Sequence, residues 1–443
     1  MSEFFEMTAA ELSDAMRTGT LKSETLVRYY LARIEKYDQA AGLNAIAELD
    51  PTAVEQARIL DAEGDRELPL FGVPVLLKDN IDAAGLHTTA GSFALADNIA
   101  AQDACVTANL RKNGAVILGK TNMTEFANYT TQGMPNGFSS RGGQVFNAYR
   151  RNYDPGGSST GSGVAMSAGL CAAAVGTDTA FSVIGCAAQN GITGLKPAFA
   201  SLSNQGILPI SHTLDSAGAM TRDMNDALLL YSAMRGAAPN LTAATAPETL
   251  RIGVNIFRFD DVNQPQQARY TALFAALRTA GATIEEVSHP YIPQLKDIMR
   301  CEFAHDLNVY LAGTKAKNRS LAQIAAVYEA CPSRMPYGIS CLQDALLSAA
   351  ENNGNAAYSE ALRLREKLRQ EFFAEASDFD AFVMTGPTQF MHFLGLPSCT
   401  LRLGMADDGT PRGIILYGAD ESRLFSAALT IEKFTLSTQL PKL

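Results

Sequence analysis

Residues 154–196 read DPGGSSTGSGVAMSAGLCAAAVGTDTAFSVIGCAAQNGITGLK. Their opening, DPGGSSTGSG (154–163), is the most unusual local composition in the chain, and it admits several readings. Alone, it reads as a flexible Gly/Ser loop. A phosphate cradle fails on detail, because the G-x-x-x-x-G-K-[ST] pattern is absent and Lys196 is followed by Pro197. A nucleophile elbow fits the G-x-S-x-G at 157–161 and would make Ser159 the nucleophile, with Asp380 and His392 following in the required chain order. The preceding NAYRRNY is polar, however, where an elbow needs an apolar strand. A third reading joins Ser158 to Ser182 and to Lys78. A lysine ending an apolar strand is partly desolvated, which lowers its pKa and favours the neutral amine that can act as a base. Taken alone, Lys78 reads equally well as an ion-pair partner of Asp79 or Asp82.

On either side of this block, the pattern is one of alternating elements. GVPVLLK (72–78) and GAVILGKT (114–121) are short apolar runs that read as buried strands, with the helical ACVTANLRKN between them. That alternation predicts a sheet covered on both faces. Upstream, Thr8 and Glu11 match a capping box, and a second helix is signalled by Val27, Tyr30, Leu31, Ile34 and Tyr37. MSAGLCAAAVGT (166–177) reads as a helix able to pack closely on its neighbours. The stretch 236–249 is the best linker candidate. A second strand and helix rhythm starts at LRIGVNIF (250–257) and runs through ARYTALFAALRTAG to ATIEEVS (282–288). Residues 300–350 read as helical and irregular. The amphipathic EALRLREKLRQEFF (360–373), strands at 379–387, 399–405 and 413–418, and a last helix from about Glu421 follow.

The chain has 443 residues, 47% of them apolar and 19% charged, with a formal charge of −10. It can bury a large core, and without Lys/Arg runs no nucleic-acid surface is expected. The seven cysteines are scattered with no C-x-x-C pair, which argues against a disulfide framework or structural zinc and for a reducing compartment. With no secretory leader pattern and no run of apolar residues long enough to span a bilayer, a soluble cytoplasmic protein is expected. The five histidines show no ligand spacing, so no metal is expected, and Cys186, among apolar neighbours, reads as a packed thiol.

Residues 154–196 resemble the signature of the amidase signature family. The similarity extends to FGVPVLLKDNIDAAGLHTTAGS (71–92), ACVTANLRKNGAVILGKTNMTEFA (104–127), GILPISHTLDSAGAMTRDMNDALLL (206–230) and the C-terminal FLGLPSCTLRLGM and DGTPRGIILYGADESRLFSAALTIE. The segments SSRGGQVFNAY, QGILPIS and EFAHDLNVYLAG are most similar to the bacterial peptide amidase branch. The resemblance implies one α/β domain over 1–443, a central mixed, twisted sheet with helices on both faces. N-terminal helices would fill about 1–40, the signature core about 65–235, and the C-terminal portion, about 250–443, would complete the sheet.

It further implies hydrolysis of a linear carboxamide, a small molecule or short peptide, to carboxylate plus ammonia or amine. Ser182 would be the nucleophile, Ser158 the bridging serine on a cis peptide bond, and Lys78 the base. Backbone N–H groups of Thr179, Ala180, Phe181 and Ser182 would hold the oxyanion. Neither metal nor organic cofactor is required, and the expected state is a monomer or homodimer. The rival readings are the amidotransferase subunit of a tRNA-dependent complex and a catalytically silent binding protein.

One departure bears on all of this. The family carries glycine immediately before the nucleophile, where this chain has Ala180 and Phe181, and many members carry arginine where it has Ile184. Glycine permits positive φ and close approach of substrate. Either the turn keeps its course with φ negative, the Phe181 ring becoming a wall of the acyl pocket, or the oxyanion hole is distorted. Because Lys78, Ser158 and Ser182 all remain, retained activity is the expectation. Met134 and Tyr337 are the further candidates for the substrate pocket, with the segment around Cys301 and Gly338.

Overall fold

Short apolar segments that are buried on both faces build the middle of the molecule. A computed structural model describes residues 4–237, 243–350, 356–435 and 438–443. Eleven strands form one mixed sheet in the order Ile46–Leu49, Val116–Thr121, Pro74–Lys78, Ala173–Asp178, Ser216–Thr221, Thr193–Lys196, Ser398–Met405, Pro411–Tyr417, Ala381–Met384, Arg251–Asn255 and Thr283–Val287. Pro74–Lys78 pairs in parallel with both its neighbours, as does Arg251–Asn255 near the other edge. The strands between those two regions pair antiparallel. Strands from both halves of the chain therefore share one sheet, flanked by helices, which is the α/β architecture expected.

Most sequence readings settle within a few residues of the observed elements. Thr8 caps Ala9–Arg17 through a capping box with Glu11, and Cys105–Lys112 connects the first two parallel strands as a helix. The stretch 166–177 is a correction. The helix Thr160–Ser167 ends within it, Gly169 turns the chain at φ +66°, and Ala173–Asp178 is a strand buried at every position. Small side chains there pack on both sheet faces, so neither a two-residue nor a 3.6-residue period is visible. Of the expected linker, 238–242 lie outside the described residues, and Pro247–Thr249 form a short 3-10 turn.

A second apolar cluster lies away from the main core. In it Leu307, Leu311, Ile324 and Leu342, from the helices Leu295–Ala312, Leu321–Ala330 and Ser340–Ala350, pack with Phe126 and Leu208. Leu295–Ala312 and Ser340–Ala350 give the site described below one of its walls. No helix among the described residues is long and apolar enough to cross a membrane.

Candidate active site

Lys78 is the last residue of a strand whose five positions are all buried, so its ammonium has no water to solvate it. Its Nζ instead donates to Ser158 Oγ at 2.8 Å, to Thr177 Oγ1 at 2.8 Å and to the Thr177 carbonyl at 3.1 Å. Burial pulls its pKa down to about 7, with Cys186, Asp178 and Asp215 opposing the shift. Ser158 Oγ in turn donates to Ser182 Oγ at 3.0 Å. The three residues come from a strand end, a Gly-rich loop and the turn after Ala173–Asp178, and they form one continuous hydrogen-bonded chain. The Gly157–Ser158 peptide is cis. A Cβ at Gly157 would lie 2.5 Å from Asn136 Oδ1 and 2.8 Å from Thr124 Oγ1, so any larger residue before the bridging serine would have to displace those side chains.

The turn carrying Ser182 is tied at several points. Thr179 Oγ1 donates to Asp215 Oδ1 at 2.6 Å, and Asp178 Oδ2 accepts the N–H groups of Val183 and Ile184, capping the helix Ile184–Asn190. Phe181 has φ +67°, so the expectation of a negative φ at this turn is corrected: the chain keeps the left-handed conformation although the residue is not glycine. Its ring lies 4.3 Å from the ring of His392, and its Cβ occupies space that a side chain at 185 would need, which Gly185 leaves open. Phe181 therefore turns inward against His392 and is not among the residues lining the cleft in front of Ser182. Its N–H donates to His392 Nε2 at 2.9 Å and so is not directed at an oxyanion. Among the described residues, no acceptor takes the N–H of Ala180 or Ser182.

That cleft, about 560 Å³, is lined by Ser182, Thr179 and Ala180 together with Tyr129, Met134 and Ile210. Met134 is thus where it was expected. Tyr337 is not, because its half-exposed ring packs on Phe138 outside the cleft. Cys301 instead pairs with Ser348. Leu295 and Met299 line the apolar wall, with Lys296 and an Arg300–Asp344 pair also on the lining. None of these helical residues carries a sequence signal, because their part in the cleft is set by tertiary packing alone.

The Ser159 elbow is not assembled. Ser159 Oγ is engaged with the Thr177 backbone, and Asp380 is paired with Arg423. His212, Glu302 and Asp306 do come together, although their spacing in sequence gives no hint of it. Their polar atoms already face one another and the Ser211, Thr213 and Tyr358 hydroxyls. The seven cysteines are all free.

The family described as Amidase matches residues 25–385. A probable amidase of Arabidopsis thaliana is 33% identical, with the match covering 99% of this chain and 91% of the relative. A glutamyl-tRNA(Gln) amidotransferase subunit of Methylocella silvestris is 30% identical over 98% and 97% of the two chains. The crystal structure of a peptide amidase from Stenotrophomonas maltophilia superimposes with a TM-score of 0.88 at 32% identity, covering 99% and 98%. On this match and on its fold, the chain belongs to the amidase signature family of amide-hydrolysing enzymes and is similar within it to the bacterial peptide amidases.

Proposed function

We propose that the protein hydrolyses a linear carboxamide, in the first instance the C-terminal amide of a short peptide, through an acyl-enzyme on Ser182. The observation behind this reading is the unbroken chain Lys78–Ser158–Ser182, ending on a lysine whose pKa is lowered to about 7. With Lys78 neutral, the direction of the hydrogen bonds reverses. Ser182 gives its proton to Ser158 as Ser158 gives one to Lys78 Nζ, and Ser182 Oγ attacks the carbonyl carbon. The tetrahedral oxyanion is received by the unengaged N–H groups of Ala180 and Ser182, with Thr179 the third candidate, and each such donor contributes about 3–4 kcal/mol. The proton then returns through Ser158 to the leaving nitrogen, the C–N bond breaks, and water entering by the same relay hydrolyses the ester.

Similarity to a peptide amidase and a cleft at Ser182 that sets an apolar wall of Leu295, Met299 and Ile210 beside polar and charged side chains support a peptide-like substrate. Free thiols fit a reducing cytoplasmic setting, and the shared sheet fits a single domain, which we take to act as a monomer or homodimer. The test is ammonia release from a panel of dipeptide and tripeptide amides. Release by wild type and its loss in Ser182→Ala support the reading, and equal release by Ser182→Ala contradicts it. Because the amidotransferase relative matches across nearly the whole chain, the second reading is a component that works with partner chains. Co-purification with two unrelated chains, together with no release by the isolated protein, would favour it.

A further inference from the structure

A phenylalanine in left-handed backbone conformation beside a nucleophile needs something to hold it, because a side chain at Cβ disfavours φ near +60°. The carbonyl of Phe181 accepts the Gly185 and Cys186 N–H groups at 2.9 and 3.3 Å, but those bonds fix only the outgoing side of the residue. On the incoming side, where Thr179 is tied to Asp215 two residues earlier, the Phe181 N–H itself is held by His392. Its Nε2 takes the Phe181 N–H at 2.9 Å, and its ring packs on the Phe181 ring. His392 belongs to the short helix Phe390–Leu394, far away in sequence, and has no exposed surface.

We infer that His392 is a positioning residue for the proposed reaction: a neutral imidazole with bare Nε2 that holds the turn at Phe181 and so aims Ser182 without the usual glycine. This inference rests on Ser182 being the reacting serine. Two charged groups face the imidazole. Asp178 Oδ1 lies 3.1 Å from the same Nε2, and Lys196 stands behind, its Nζ donating to the Leu396 carbonyl at 3.1 Å.

One nitrogen cannot both accept from Phe181 and donate to Asp178. If Nε2 carries a proton, it satisfies Asp178 Oδ1, otherwise unpartnered, but it sets N–H against N–H at Phe181. If Nε2 is bare, the turn is held and the proton sits on Nδ1, which has no partner. With Nε2 bare, Asp178 Oδ2 still has two backbone donors, while Oδ1 gives up its contact with the imidazole, a cost that the held turn offsets. Burial also holds the imidazole pKa below its ordinary value against the pull of Asp178, which favours the neutral ring. Acid then releases the turn by protonating Nε2.

The experiment is the rate of labelling by a fluorophosphonate probe, followed by intact mass across pH, for wild type, His392→Gln and His392→Phe. Phenylalanine keeps the ring packing and loses the acceptor, while the glutamine Oε1 reaches the position of Nε2. His392→Phe should label about tenfold more slowly, the equivalent of one hydrogen bond. His392→Gln should recover most of that rate, and its acid limb should be shallower than that of wild type because glutamine does not titrate. Equal rates for His392→Phe and wild type, or equal losses in both variants, would overturn the inference. Should the variants fail to fold, the imidazole 15N shifts of wild type decide: the Nδ1–H tautomer at neutral pH is expected, and a protonated Nε2 overturns it. No labelling of wild type at any pH would instead count against Ser182 as nucleophile, and the tautomer would still be read independently.

Discussion

Lys78 and Lys120 lie on adjacent parallel strands, one residue out of register, and neither has any exposed surface. Both are desolvated and both have lowered pKa values, yet their surroundings differ in kind. Lys120 Nζ donates to the carbonyls of Asp79 and His87 and to Thr88 Oγ1, with the Asp79 and Asp82 carboxylates nearby. Carbonyls and carboxylates can only accept, so Lys120 ties the loop 79–92 to the sheet. Each lysine also meets a hydroxyl. The Ser158 hydroxyl at Lys78 leads on to Ser182 Oγ, so a proton can pass beyond it, whereas the Thr88 hydroxyl at Lys120 belongs to the loop being tied down. Burial prepares a neutral amine in both places. Only the partner at Lys78 gives it work to do.

The contrast between the two lysines bears hardest on turnover. Lys78→Ala should lower kcat roughly 10⁴-fold or more while leaving the fold intact, by analogy with removal of a general base from a serine hydrolase. Lys120→Met should do the reverse. Stranding buried carbonyls costs about 1–3 kcal/mol and should show as a lower Tm, with activity per folded molecule within a few-fold of wild type. If Lys120→Met abolished turnover in a folded protein, the distinction between the two lysines would collapse.

A pH profile separates them further. The base works neutral, so kcat/KM should rise about tenfold per pH unit up to an apparent pKa of about 7 and level off above it. Lys120→Met should leave that limb in place. The smallest effect is on stability. Lys78 holds its proton more weakly when folded, about 7, than when unfolded, about 10.5. Stability should therefore rise as pH climbs through that window and be lost as pH falls back through it. Lys78→Met should remove part of the slope, leaving the parts due to Lys120, lowered by burial, and Lys196, whose pKa is pulled down to about 8 by burial.

Much of this was legible in the sequence. The strand ending at Lys78 and its parallel neighbour announce themselves as apolar runs, and the signature carries Ser158 and Ser182 in one contiguous block. The strand Ala173–Asp178 was not legible, because alanines buried on both sheet faces leave no period to read. The left-handed φ at Phe181 was missed for a different reason. Its supports are Gly185, which clears space for the side chain, and His392, which lies more than two hundred residues away. Nor could Tyr337 be kept out of the cleft in advance, since its ring direction is set by Phe138.

Peptide mapping of the fluorophosphonate adduct puts the relay from Lys78 to Ser182 to its plainest test. A single adduct on Ser182 is expected in wild type, absent from Ser182→Ala and strongly slowed in Lys78→Ala, with Lys120→Met labelled normally. An adduct on Ser159 or another serine, or undiminished labelling of Lys78→Ala, would contradict the relay.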